Sequence, residues 1–328
     1  MNNKKALITG ITGQIGWYLS ELLLSKGYEV HGIARKKGKN DIFVLHQGEI
    51  SDRSFMQQVL TAVRPDEVYN LAAQSNSRIS WDIPEETYRI NAQAVIQMLS
   101  TLREQLPQTK FFQAGSAELF GGIGKQPYTE KTSFNPRNPY AVAKLAAFQE
   151  VKNWRERTGN FFVNGILFNA ESARRGQDFV TTKIAKAAAQ RARGSLEILS
   201  LGNISAERDW THAADTAHAI YLTMQASAPR DYVIASGRKN TVRDFVTLAY
   251  AEAGTTLCWK GEGKTEEGYD LKNGNVLVNV NPHFFRPVEL ERLQGDPKKI
   301  QTELGWKPIH SLQDIVKEMV QSERAKLH

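Results

Sequence analysis

Tyr140 and Lys144 stand in the run Tyr-Ala-Val-Ala-Lys, and a separation of four puts both side chains on one face of a helix. A free phenol, with a pKa of about 10, is a poor base near neutrality, but a neighbouring ammonium favours the phenolate. The pair therefore reads as a general base. Upstream, Ala114-Gly115-Ser116-Ala117-Glu118-Leu119-Phe120-Gly121 follows an apolar strand pattern. Ser116 and Glu118 thus fall at the C-terminal edge of a sheet, where α/β proteins place their chemistry. Ser116 can hold a substrate hydroxyl, and Glu118 can act as a second acid/base. Each also has a plainer role open to it. Ser116 could cap a turn, Glu118 could cap a helix or face solvent, and Tyr140 with Lys144 could line a helix.

A second constellation lies near the start of the chain. Ala6-Leu7-Ile8-Thr9 reads as a buried strand, and Gly10-Ile11-Thr12-Gly13-Gln14-Ile15-Gly16 follows it, leading into a helix. Glycine permits the tight turn and lets the backbone approach a pyrophosphate, while the helix N-terminus supplies N–H groups and partial positive charge. Strand, turn and helix in this order predict a dinucleotide site rather than a plain glycine turn. The next strand ends in Ala34-Arg35-Lys36-Lys37, where an NAD site would usually carry a carboxylate. Cations there suit the 2′-phosphate of NADP, Arg35 above all, although a solvated basic turn has the same composition. The oxidised nicotinamide of such a cofactor would favour the Tyr140 phenolate together with the Lys144 ammonium.

The elements that must position these residues follow from periodicity. Strands are expected at Ala6–Thr9, Tyr28–Ala34, Ile42–Gln47, Glu67–Ala72, Phe111–Ala114 and Phe161–Phe168. Helices are expected at Gln14–Lys26, Ser54–Val63, Glu85–Glu104 and Pro139–Thr158. This alternation implies an α/β fold, a doubly wound parallel sheet of Rossmann type. The second half is less regular, with strand-like runs at Leu196–Leu199 and Tyr232–Ile234. Helices are expected there at Thr241–Gly254 and Ser311–Arg324, and Gly261–Asn275 reads as a surface loop. Residues 1–168 are expected to bind the dinucleotide, with later segments returning to that unit, and 169–328 to form a smaller, interleaved substrate lobe.

Composition narrows the function classes. With 328 residues, 41% apolar and 23% charged, the chain is an ordinary globular protein and neither collagen-like nor disordered. No run of eighteen apolar residues occurs, so no membrane association is expected, and Met1–Leu24 reads as strand and helix rather than a secretory leader. The single cysteine, Cys258, excludes an intrachain disulfide and fits a reducing cytoplasm. The net charge of +7 is spread along the chain, which favours a phosphate-bearing small ligand over nucleic acid. No metal site is expected. His212 reads as a local cap and His46 as a core or edge residue of a strand.

Together, the glycine pattern, the strand-end Ser116 and the Tyr140–Lys144 pair resemble the extended short-chain dehydrogenase/reductase family. Within it, the chain is most similar to the GDP-mannose 4,6-dehydratases. Carrying runs include Pro65-Asp-Glu-Val-Tyr-Asn-Leu, Asn138-Pro-Tyr-Ala-Val-Ala-Lys-Leu, Asn164-Gly-Ile-Leu-Phe-Asn, Arg208-Asp-Trp and Leu293-Gln-Gly-Asp-Pro. The resemblance implies that Tyr140 removes the sugar O4 proton while hydride leaves C4 for NADP. Glu118 then takes the C5 proton and assists loss of the C6 hydroxyl as water, and the hydride returns to C6. NADP would be tightly held and regenerated in each turnover.

By the same resemblance, Gly10, Thr12, Gly13, Gln14, Ile15, Gly16, Arg35, Glu49, Ile50, Leu71, Ala73, Tyr140, Lys144 and Arg175 would bind the cofactor. Ser75, Asn169, Val180, Lys183, Arg208, Arg286 and Glu289 would bind the GDP-sugar. A homodimer is implied. The sequence departs from the family's pattern at four places. Ala170 stands where His is usual, and Glu49-Ile50 where Asp-Leu is usual. The segments around Lys36–Asn40 and Gly261–Asn275 are shorter. A GDP-manno-heptose substrate is one alternative these departures leave open. A nucleotide-sugar 4-reductase or epimerase is another, and a non-catalytic nucleotide-binding module on the same fold is a third.

Overall fold

The computed structural model describes residues 3–36, 42–285 and 292–327. The first strands are β1 (Lys5–Thr9), β2 (Glu29–Ala34), β3 (Val44–Gln47), β4 (Glu67–Asn70), β5 (Lys110–Ala114) and β6 (Phe162–Leu167). The chain then runs through β7 (Asn169–Glu171), β8 (Leu199–Leu201), β9 (Glu207–Arg208) and β10 (Trp210–His212) before β11 (Tyr232–Ile234) rejoins the main sheet. That sheet has seven strands in the order β11-β6-β5-β4-β1-β2-β3, every pair parallel. The order reverses between β1 and β4. A doubly wound sheet opens a crevice for ligands at such a switch point, at its C-terminal edge.

Helices cover both faces. On one side α1 (Gln14–Ser25) brings Leu19 and Leu23 onto the sheet, on the other α2 (Arg53–Val63) brings Met56 and Leu60. Each fully buried aliphatic or aromatic side chain here contributes about 1.5–3 kcal/mol. The predicted helix over Glu85–Glu104 is interrupted. It comprises α3 (Pro84–Tyr88), a π-turn at Arg89–Gln93 and α4 (Ala94–Gln105). The π-turn carries Asn91, which is buried and hydrogen-bonded on both sides to the backbone of Gln74. α5 (Pro139–Thr158) has the predicted bounds. Its start is fixed by the Asn138 cap and Pro139, and its end by Gly159 in the left-handed region.

The second half contributes α6 (Val180–Arg191), α7 (Ala213–Gln225), α8 (Val242–Glu252), α9 (Lys298–Leu304) and α10 (Leu312–Ala325). α7 packs on α1 under the main sheet, whereas α6, α8 and α10 share a separate core with Phe245, Leu277 and Val320. The remaining strands are β12 (Asn240–Thr241), β13 (Leu257–Lys260), β14 (Glu267–Asp270), β15 (Val276–Val280) and β16 (Arg292–Leu293). β13-β14-β15-β8 form a four-stranded sheet. Two expectations are corrected here. Gly261–Asn275 is not a loop, because β14 lies between β13 and β15 with Gly268 against the Trp259 ring. The Gly- and Glu-rich composition concealed that strand. The strand-like run Leu196–Leu199 contributes only its last residue to β8 (Leu199–Leu201), which pairs with β15. Leu196 and Ile198 remain exposed.

Among the described residues, no helix is long and apolar enough to cross a membrane, and no group of three metal-ligating side chains occurs. His46 lies on the edge strand β3 and is hydrogen-bonded to His31. His212 caps α7 by accepting the Ala214 N–H.

Candidate active site

The glycine turn is fixed by what it touches. Gly10 has φ +67°, and a Cβ there would lie 2.9 Å from the Ala72 backbone. Its N–H donates to the Ile33 carbonyl at 3.0 Å, tying the turn to the end of β2. At Gly16 a Cβ would lie 2.5 Å from the Gly10 carbonyl oxygen and 2.7 Å from Ile11 Cα. α1 then begins with Gly13 as N-cap, no side chain capping it and no acidic residue in its first turn. Its first N–H groups and dipole face the loop unopposed, which suits a pyrophosphate.

Thr12 and Ile15 lie on this turn. The Gln14 side chain is already engaged, because Nε2 donates to the Ala170 carbonyl at 2.8 Å and Oε1 accepts from Ser172 at 3.0 Å. Gln14 thereby clamps β7 to the turn and has its backbone N–H left for a ligand. Arg35 stands exposed at the end of β2. Glu49 faces Arg89 at 3.8 Å, while Ile50 is buried with Leu7 and Ile33.

The loop after β4 is held by a polar chain the sequence did not announce. Thr9 Oγ1 donates to Asn70 Oδ1 at 2.6 Å, and Asn70 Nδ2 donates to Gln113 Oε1 at 2.8 Å. Thr9 Oγ1 also accepts the N–H groups of Leu71 and Ala72, each at 3.1 Å. Every member of this buried chain has a partner, as its burial requires. Further along the same loop, Asn91 of the π-turn holds Gln74, with Ala73 and the exposed Ser75 on either side.

Ser116, Glu118, Tyr140 and Lys144 come together at the ends of β5 and α5. Ser116 Oγ accepts the Glu118 N–H at 3.1 Å. Lys144 is buried and donates to the Ala114 carbonyl at 2.8 Å. Its ammonium lies 6.0 Å from the centre of the Tyr140 ring. Burial pushes the Tyr140 phenol up to about 12, the nearby Glu118 carboxylate adds to this, and Ser116 and Arg175 oppose it. Burial also pulls Lys144 down to about 8. The expected phenolate draws on the ammonium together with an oxidised nicotinamide, and the protein by itself does not reach it. In the protein alone, desolvation and the Glu118 charge outweigh Ser116 and Arg175, and the phenol keeps its proton.

Arg175 approaches the same phenol. Its guanidinium lies 3.5 Å over the Phe179 ring, and its Nε faces the buried Glu171 at 3.3 Å. Glu171 also accepts from Thr181 at 2.6 Å. Asn169, on β7, donates its N–H to the Asp209 carbonyl, and Arg208 precedes Asp209 on β9. Val180 and Lys183 occupy the first turn of α6, where no side chain caps the N-terminus and no acidic residue intrudes. Arg286 and Glu289 lie outside the described residues. So do residues 37–40 of the shortened basic segment. Asn138 was missed as a site residue. It caps α5 through Ala141 and also donates to Glu118 Oε2 at 2.7 Å. Its place before Pro139 signals a helix cap, but nothing in the sequence points it at Glu118.

Comparisons with known proteins give the family and the fold. The GDP-mannose 4,6 dehydratase family profile matches residues 7–319. A GDP-mannose 4,6-dehydratase of Vibrio cholerae is 42% identical over 348 residues, covering 98% of this chain and 94% of its own. Among solved structures, UDP-glucose 4-epimerase of Thermotoga maritima with UDP-glucose has a TM-score of 0.84 at 22% identity, covering 99% of this chain and 100% of that one. RMD from Pseudomonas aeruginosa complexed with NADPH has a TM-score of 0.79 at 20% identity, covering 98% and 100%. At those identities the two structures speak for the fold.

Proposed function

The chain belongs to the GDP-mannose 4,6-dehydratase family, and from that premise we propose that it converts GDP-mannose to GDP-4-keto-6-deoxymannose with NADP as resident cofactor. The observation that carries this reading is Glu118. A carboxylate close enough to raise the Tyr140 phenol, and held by Asn138, is a second acid/base beside the first. Oxidation at C4 needs Ser116, Tyr140 and Lys144 only, and so does a 4-reductase or epimerase. Removal of the C5 proton needs one more base.

The glycine turn fits a dinucleotide: side chains at Gly10 and Gly16 would strike the Ala72 backbone and the Gly10 carbonyl, so glycine lets the turn fold this tightly ahead of the uncapped N-terminus of α1, which is left to meet the phosphates. Arg35 at the end of β2 suits a 2′-phosphate, which favours NADP over NAD on this reading. When bound, the dinucleotide would supply the hydride acceptor for C4 and, once reduced, the hydride donor for C6. The residues of the chain do the rest. Tyr140 loses its own proton under the positive charge of the oxidised nicotinamide and of Lys144, and the phenolate then accepts the O4 proton, with Ser116 hydrogen-bonding at the same oxygen. The 4-keto group acidifies C5–H. Glu118 takes that proton and passes it to the departing C6 hydroxyl, which leaves as water. A proton then returns to C5, so one of the two protons removed leaves with water and the other is restored.

Residues 1–168 hold the dinucleotide and 169–328 chiefly the nucleotide sugar. Asn169, Arg208 and the open N-terminus of α6 with Lys183 serve the diphosphate and base. The exposed apolar residues Trp81, Tyr88, Ile96 and Val142 lie on and around α3–α5, and we assign this face to a homodimer contact. The enzyme works in the cytoplasm on this reading, with Cys258 reduced.

The test is direct. Purified protein is incubated with GDP-mannose and catalytic NADP, and the sugar nucleotide is followed by mass spectrometry. Loss of one water without net cofactor reduction is expected. Net consumption of NADPH would move the protein to the reductases, and turnover of a GDP-heptose alone would move it to that substrate. Glu118→Gln should stop water loss while some C4 oxidation persists. Dehydration at the unaltered rate would overturn the role of Glu118.

A further inference from the structure

Asn138 makes two hydrogen bonds that together fix its amide. Oδ1 accepts the backbone N–H of Ala141 at 2.8 Å, and Nδ2 donates to Glu118 Oε2 at 2.7 Å. A backbone N–H can only donate, so the amide oxygen must face Ala141 and the NH2 group must face the carboxylate. An oxygen facing an N–H donor is held as an acceptor. It cannot at the same time present an O–H along that line. On Glu118 this reserves Oε2 for Asn138 and leaves Oε1 for the proton.

We infer that Asn138 is a positioning residue for dehydration, which aims Glu118 and confines its proton traffic to Oε1. This inference rests on the dehydratase reading above. The geometry gives the residue a second consequence. Asn138 begins the helix that carries Tyr140 two residues later, and its amide spans from that helix to the β5 loop. The O4 base and the C5 base are therefore set relative to each other through one side chain. In the elimination, the C5–H bond breaks, its proton passes to Glu118 Oε1, and the C5–C6 double bond forms as the C6–O bond breaks. The same proton then leaves on the hydroxyl as water, which returns Glu118 to the carboxylate.

Asn138→Ser and Asn138→Asp test the inference. Both replacements cap helices well, so α5 should keep its N-terminus and the melting temperature should stay near the wild-type value. Ser is too short to reach Glu118, and Asp offers it no donor at neutral pH. The expected result is a fall in water loss of about tenfold to a hundredfold, the scale of a mis-set acid/base group. C4 oxidation, read as reduced-nicotinamide absorbance in a single turnover, should persist, so the 4-keto hexose accumulates. Exchange of C5–H in deuterated water should slow with the elimination. In a Glu118→Gln background, Asn138→Ser should slow the residual exchange no further, because it acts through Glu118.

Water loss at the wild-type rate in Asn138→Ser would overturn the inference. An equal fall of C4 oxidation and water loss would also overturn it, showing a merely structural cap. Wild-type protein that removes no water from GDP-mannose or a GDP-heptose would instead refute the dehydratase reading itself, so the two failures are distinct.

Discussion

Burial sets the chemistry of Tyr140 and Lys144 in opposite directions, the phenol up to about 12 and the ammonium down to about 8. Lys144 is thus a buried cation held at a cost in stability. Between pH 8 and its ordinary 10.5 the unfolded chain binds the extra proton, so stability contributed at this site rises with pH across that window. Below it the full penalty stands, about 3 kcal/mol on a scale of 1.36 kcal/mol per unit. Lys144→Met removes that penalty and loses the bond to the Ala114 carbonyl, worth about 1 kcal/mol. That carbonyl keeps Gln113 as partner. Lys144→Met should therefore be more stable by about 2 kcal/mol at pH 7 in urea melts, and inactive. Tyr140→Phe should abolish C4 oxidation and water loss together, since the C5 proton is acidified only after the 4-keto group forms; stopped-flow absorbance of reduced nicotinamide reads the first step. The Tyr140–Lys144 spacing was legible because four residues make one helical turn. The upward shift of the phenol in the protein alone was not, because desolvation depends on every neighbour that folding brings in.

At the scale of elements, the cradle depends on contacts between backbone segments. Gly16→Ala sets a Cβ at 2.5 Å from the Gly10 carbonyl oxygen, so either α1 or the turn must move. The expected outcome is at least a tenfold weaker NADP affinity by fluorescence titration, about 1.4 kcal/mol, with the sheet intact by circular dichroism. The π-turn is the other device. It bears Asn91, whose amide satisfies both the N–H and the carbonyl of Gln74. Asn91→Ala strands these two backbone groups, each at about 1–3 kcal/mol if it stays buried, and the loop holding Ser75 should loosen. KM for the nucleotide sugar should rise more than kcat falls, as steady-state kinetics would measure. Periodicity foretold a helix over Glu85–Glu104 but not its inserted turn. One extra residue barely disturbs an apolar pattern, and only the partner of Asn91 explains it. Likewise β14 escaped notice because its neighbours β13 and β15, and not its own composition, make it a strand.

Across the whole molecule, the last helix closes on the first. Glu318 of α10 accepts from Tyr18 at 3.1 Å and from the Ala173 N–H at 2.9 Å, and it pairs with His212. Burial alone would raise this carboxyl, yet the bonds from His212 and Ala173 prevail and hold it at about 2. A lowered carboxylate contributes stability that is present above its ordinary 4.5 and lost as pH falls through about 2. Glu318→Gln should therefore flatten the dependence of melting temperature on pH in that acid window; an unchanged slope would remove Glu318 from the account. The sequence by itself determined the parallel doubly wound sheet, the glycine cradle and the four residues Ser116, Glu118, Tyr140 and Lys144. Those depend on local chemistry: strand and helix periods, glycine's freedom and side-chain type at strand ends. Tertiary structure alone decided which proton Tyr140 keeps, what aims Glu118, how Gln14 clamps β7, and how α10 reaches α1. Those outcomes arise between residues far apart in the chain, where burial and hydrogen-bond direction are set by packing rather than by spacing.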